Sequence, residues 1–137
     1  MTLLANVEDL GQMLSASAQT GTDPAVGKWV NGRIVAVLGS PELGNAEELA
    51  IGVSLLNAGT STPRHDHRAE EIAVILAGSG EIVLGDEVIP VTRGDIVRTP
   101  PHLPHQTIAG SGSELQVLWI YAPAGSENRW LQNAPKE

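Results

Sequence analysis

The sequence predicts an all-β fold, an antiparallel barrel or jelly roll with a short N-terminal helix. Three observations carry this. Short runs of valine, isoleucine and leucine recur from Ile34 to Tyr121. Fifteen glycines and nine prolines punctuate them, and such residues mark tight turns between strands. Helical periodicity is confined to the two ends of the chain. With 137 residues, 42% of them apolar, the chain is long enough for one core and one domain.

The elements follow in order. Val7 to Ser17 carries apolar residues at Val7, Leu10, Met13 and Leu14, which is helical spacing. Glu8 and Asp9 near its start suit the helix dipole. Gln19 to Lys28 is rich in Gly, Thr and Pro and reads as a loop. Ile34 to Leu38 suits a strand, Pro41 to Asn45 a turn, and Glu48 to Asn57 a second strand. Glu71 to Ala77 is a strongly apolar strand. Gly78-Ser79-Gly80 turns the chain into Glu81 to Leu84, and Gly85-Asp86 turns it into Val88 to Val91. Asp95 to Arg98, Gln106 to Ala109 and Leu115 to Tyr121 complete the strands, and Ser126 to Asn133 has room for a helical turn. No repeat or linker divides the chain. The expected organisation is an N-terminal helix and arm over residues 1–30, a β-barrel over 31–125 and a C-terminal tail over 126–137.

The strand Glu71 to Ala77 says more. If Glu71 faces inward, strand parity turns Ala73, Ile75 and Ala77 inward too. Ile72, Val74 and Leu76 then face outward, yet they are apolar. A strand apolar on both faces needs cover on both. The N-terminal segment or a second subunit would supply it, and a homodimer is expected.

Charge narrows the partners. The formal net charge is −8 and the sequence pI about 4.8. Such a surface repels phosphate backbones and anionic lipid, so neither nucleic acid nor membrane is an expected partner. There is no cysteine, which excludes disulfides and thiolate ligands. The N-terminus lacks a basic segment followed by a long apolar stretch, and no apolar run is long enough to span a bilayer. A cytoplasmic protein is the expectation.

The chemistry concentrates in two stretches, Gly59 to Gly78 and Gly94 to Ala109. All four histidines fall in them, three of them in one metal-binding pattern. His65 and His67 are two residues apart, so on an extended segment they share a face and can grip one ion. Glu71 and His105 complete a site of three nitrogens and one oxygen. Glu71 opens an apolar strand, where an unpartnered carboxylate is costly. Three neutral imidazoles and a carboxylate suit Fe, Mn, Zn, Ni or Cu as divalent ions. One transition metal per chain is expected.

These stretches resemble the cupin superfamily, in its small single-domain bacterial form. The first cupin motif reads G, five residues, H-x-H, three or four residues, E, six residues, G. Gly59, His65, His67, Glu71 and Gly78 match every position. The second reads G, five residues, P-x-G, two residues, H, three residues, N. Gly94, Pro100 and His105 match it, while His102 replaces the Gly and Ala109 the Asn. Fifteen residues separate the motifs, the short spacing of small bacterial cupins. The resemblance implies a double-stranded β-helix with the metal inside one mouth. It leaves Met1 to Lys28 unexplained.

Four protein ligands leave an octahedral ion two open positions, where a small substrate with adjacent oxygens can chelate. The metal then acts as a Lewis acid or binds dioxygen. A metal-dependent enzyme is the first expectation, with a dioxygenase-type reaction ahead of non-redox isomerase, lyase or decarboxylase chemistry. Glu71 doubles as the candidate catalytic base. A sensor or small-ligand-binding protein without turnover is the alternative from another class, and a structural zinc the third. Arg64, Arg98, His102, Trp119 and Tyr121 are candidate substrate contacts. Each also has a plainer role: surface charge for the arginines, a turn for His102, core packing for the aromatics.

Overall fold

The computed structural model describes residues 3–20, 27–30 and 32–128, with side chains described over 3–16 and 32–128. The elements are α1 (Val7–Thr20), β1 (Gly27–Val30), β2 (Arg33–Gly39), β3 (Ala50–Leu56), β4 (Glu70–Ala77), β5 (Ser79–Leu84), β6 (Glu87–Thr92), β7 (Ile96–Thr99), β8 (His105–Ala109) and β9 (Leu115–Ala122). They form a sheet of order β1-β2-β3-β9-β4-β7 and a sheet of order β6-β5-β8. Every pairing is antiparallel. The fold is the two-sheet barrel that the strand pattern predicts.

One element departs from the sequence reading. Gly27 and Lys28, expected at the end of a loop, belong to β1 and pair with Ala36 and Val35 of β2. Backbone pairing along an exposed sheet edge needs no apolar run, so periodicity does not reveal it. The helical turn expected in Ser126 to Asn133 lies mostly outside the described residues, as does the rest of the tail.

Asn6 starts α1. Its Oδ1 accepts from the backbone N–H of Glu8 at 2.9 Å, which satisfies one of the donors a helix start leaves open. Of the four apolar positions on the helix, Leu10 and Leu14 are buried, while Val7 and Met13 are exposed. Positions four apart form one stripe, and this stripe packs on Ile34, Ala36, Val53 and Leu55. It covers the outer face of β2 and β3, which explains why β2 is buried on both faces. Leu76 of β4 packs against the same cluster.

The main core lies between the sheets. Ala73, Ile75 and Val117 from the larger sheet meet Ile82, Val91 and Ala109 from the smaller one. At the other end of the barrel, Val35, Val37, Ala50, Ala69, Trp119 and Tyr121 form a second cluster. The turn from β4 into β5 needs Gly78: its φ is +84°, and a Cβ there would sit 2.0 Å from the Glu114 carbonyl oxygen. Among the described residues, no helix is long and apolar enough to cross a membrane.

Candidate metal centre

His65 and His67 lie in the connection between β3 and β4. This connection is extended but is not a regular strand, since only isolated bridges tie it down, Ser61 to Ile108 and His65 to His105. His65 N–H donates to the His105 carbonyl at 3.0 Å, and His105 N–H returns the bond to the His65 carbonyl at 2.8 Å. Thr62 N–H donates to Thr107 at 2.9 Å, and Ala109 N–H to Thr60 at 2.9 Å. The connection is thus stitched to β8, which sets the two histidine-bearing stretches face to face.

All three imidazoles are oriented in the same way. The Nδ1 atoms of His65, His67 and His105 lie 2.7, 2.9 and 2.8 Å from the carbonyl oxygens of Pro63, Ala69 and Leu103. A carbonyl only accepts, so each Nδ1 carries the proton and each Nε2 keeps a lone pair. Ring centroids are 4.4 Å apart for His65 and His105, 4.7 Å for His67 and His105, and 5.8 Å for His65 and His67. Potential ligand atoms of the three lie within 4.8 Å of one another. Nε2 of His67 and of His105 are buried with no hydrogen-bond partner. Leaving such atoms unsatisfied costs about 1–3 kcal/mol each. A divalent ion removes that cost, and carbonyl-anchored histidines are the usual outer support of a metal site. The residues present fit a metal.

Glu71 is the second residue of β4, paired with Tyr121 of β9 and Thr99 of β7. Its Oε1 stands 3.7 Å from His67 Nε2, too far for a hydrogen bond. It stands outside the three-histidine group, and its carboxylate borders the cavity that His65 and His105 line. Burial alone would lower the His67 pKa, but the neighbouring Glu71 carboxylate and the Ala69 carbonyl outweigh it and raise the value above 6.5. Burial holds the His65 imidazole below 6.5, and the charges of His105 and His67 push the same way, with the Pro63 carbonyl and Glu71 opposing.

The cavity has a volume of about 50 Å³. Leu56, Val117 and Trp119 give it apolar lining, and His65 and His105 border it as well. Trp119 stacks on Tyr121 at 4.5 Å and 23°, and its Nε1–H donates to Ser54 Oγ at 3.0 Å. Tyr121 in turn lies 4.9 Å from the His67 ring.

Of the residues singled out in the sequence, Trp119 and Tyr121 line this cavity with His65, Glu71 and His105. Arg64, Arg98 and His102 do not. Arg64 Nη2 donates to the Gly85 carbonyl at 2.9 Å. Arg98 faces solvent, its Nε 2.7 Å from Glu70 Oε2, which is the outward side of β4 and β7 that strand parity requires. His102 is exposed with φ 62°, and its N–H donates to the His67 carbonyl at 2.8 Å. It contributes backbone to the site by taking the left-handed turn where the cupin motif has glycine.

Arg33 is the charged lining residue that sequence reasoning missed. It is 3% exposed and borders the cavity from β2. Its signal was present: a charge opening an apolar strand, which is the same signal that singled out Glu71.

Comparison with known proteins follows this geometry. Residues 52–121 match the cupin domain family. An uncharacterised protein of Methanocaldococcus jannaschii is 31% identical over 100 residues, 72% of this chain and 80% of that one. The crystal structure of a cupin protein from Bacteroides fragilis is 35% identical, with a TM-score of 0.54, over 59% of this chain and 70% of that one. A predicted oxalate decarboxylase from Thermotoga maritima shares the fold at TM-score 0.61 and 24% identity, over 67% of this chain and 81% of that one. A family match spanning both histidine-bearing stretches, with that identity to the archaeal relative, makes this chain a member of the cupin family.

Proposed function

We propose that this chain is a metal-dependent enzyme acting on a small oxygenated organic molecule, with a dioxygenase-type reaction as the first chemistry to test. The observation that supports it is the convergence of three imidazoles whose Nδ1 atoms are all tied to carbonyls. Glu71, beside His67, is the fourth ligand in this reading. A bound divalent ion supplies Lewis acidity, or dioxygen binding if it is redox-active. The histidines hold it as neutral donors, and Leu56 and Val117 keep water from one side of the cavity.

A second reading is non-redox isomerase, lyase or decarboxylase chemistry. The position of Glu71 outside the three-histidine group favours it, because a carboxylate off the metal is available to take a proton at Oε1.

The test is metal content of chelator-free protein by elemental mass spectrometry, with dioxygen uptake on the same sample. Iron or copper near one per chain, with uptake on an enol or diketone, supports the first reading. Zinc without uptake moves the assignment to non-redox chemistry, and metal without any turnover to a sensor. Failure to take up any metal on reconstitution refutes the metal-dependent reading.

A further inference from the structure

We propose that two copies of this chain pair through the outer face of β9, β4 and β7, about a two-fold axis that lays α1 of each copy along β7 of the other. The residues of this face take no part in the cavity, so the pairing is independent of the metal reading.

Cross-strand register builds the face. Ile120 and Ile72 stand in one row across β9 and β4, and Leu118, Val74 and Ile96 in the next, across to β7. Their neighbours Ala73, Val97, Val117 and Trp119 point inward and are buried. α1 covers the β2 and β3 side of the same sheet through Leu10 and Leu14. Beyond the helix the rows are only half covered: Leu118, Ile120, Ile72 and Val74 are half-buried and Ile96 is exposed. A contiguous apolar patch of this kind marks an interaction surface.

Charge and shape select a second copy as the occupant. Two chains of net charge −8 repel each other, so they meet where charge is absent. The outward positions of these three strands carry two charges, Arg98 and Glu70, which neutralise each other at 2.7 Å. The face is also asymmetric, with α1 as a ridge along one border and β7 bare along the other. A two-fold axis running along β4 exchanges these borders and keeps levels along the strands unchanged. Each ridge then lies on the partner's bare strip. Leu3 and Val7, 80% and 46% exposed, extend the Leu10 and Leu14 stripe past the chain's own sheet and meet Ile96 of the partner.

The borders are complementary in charge as well. Val7 and Glu8 of α1 flank one side of a groove of about 680 Å³, and Arg93, in the turn from β6 to β7, flanks the other. Neither the Glu8 nor the Arg93 side chain has a hydrogen bond or ion pair among the described residues. The axis sets each Glu8 against the partner's Arg93, so the pair forms twice.

The area suffices. Three strands at about 4.8 Å spacing and about 3.4 Å per residue, over the eight residues of β4, present about 400 Å². The 14 residues of α1, at about 1.5 Å rise and about 10 Å width, add about 200 Å². Two copies bury about 1,200 Å² in this flat projection, which reaches the range of stable interfaces.

The experiment is light scattering and sedimentation equilibrium on the full chain as purified. Wild type should have a two-chain mass at micromolar concentration. Ile96→Glu changes an exposed side chain, so circular dichroism should remain native, while the dimer dissociation constant should rise about 30-fold or more, the loss of a central apolar contact. Glu8→Arg and Arg93→Glu should each weaken the dimer, and the double variant, which has the wild-type net charge, should restore it. A one-chain mass for wild type overturns the proposal and gives the face to residues 129–137 or to another protein. A dimer that survives Ile96→Glu overturns the choice of face. A double variant as weak as either single one overturns the arrangement of α1 on β7.

Discussion

Gly52→Ala tests whether the wall of the metal site is packed as described. Gly52 pairs with Trp119 across β3 and β9. A Cβ at Gly52 would stand 2.0 Å from Trp119 Cζ2, 2.4 Å from Cη2 and 2.6 Å from the Ala36 carbonyl oxygen. The indole cannot swing away at little cost, because it is stacked on Tyr121 and hydrogen-bonded to Ser54. The Ala36 oxygen is backbone of the neighbouring strand and is no easier to move. Overpacking of this kind costs about 1–3 kcal/mol, and losing the indole hydrogen bond adds about 1 kcal/mol. The sum is about 2–4 kcal/mol. An unfolding entropy of about 2.1 cal/mol/K per residue makes each kcal/mol worth roughly 3.5 °C in a chain of this length. Thermal denaturation followed by circular dichroism should therefore show Tm lowered by about 7–14 °C. Trp119 bears on Tyr121, and Tyr121 on His67, so metal affinity should fall as well. A Tm within about 2 °C of wild type, with metal affinity unchanged, would refute the packing argument.

Further predictions concern the ligands and the assembly. Metal at about 100 times its Kd should stabilise wild type by about 2.7 kcal/mol, raising Tm by roughly 9 °C. His65→Ala and His105→Ala should abolish that shift, while His102→Ala should retain it; a lost shift in His102→Ala would make its side chain a ligand. In metal-free protein, Glu71→Gln should lower the His67 pKa seen by NMR, because burial then loses its chief opponent. The sign follows for stability: the raised His67 value makes the His67–Glu71 pair stabilising below pH 6.5, and that contribution fades as pH rises through the folded value. The deficit of Glu71→Gln relative to wild type should accordingly be larger on the acid side, and a pH-independent deficit would contradict it. The homodimer proposed to cover the outer face of β4 and β7, where Ile96 is 67% exposed and pairs with Val74, should give a two-chain mass by light scattering.

What was legible in the sequence was what local spacing encodes. Alternation and turn residues marked eight of the nine strands, and β1 escaped because an edge strand is held by backbone bonds rather than by an apolar pattern. The pair His65 and His67 was readable because two residues on an extended chain share a face. Its pairing with His105 came from motif spacing; the stitching that brings them together belongs to β8. The doubly apolar β4 called for cover on its outer face, but only the packed structure shows Leu10 and Leu14 of α1 in one cluster with Leu76. The sequence by itself pointed to the barrel, the three histidines and Glu71, since turn residues, strand parity and motif spacing are all written along the chain. Tertiary structure alone decided which side chains share the cavity. It turned Arg64, Arg98 and His102 away and brought in Arg33, because a cavity wall is assembled from strands distant in the chain, and no periodicity within one strand records what its neighbours contribute.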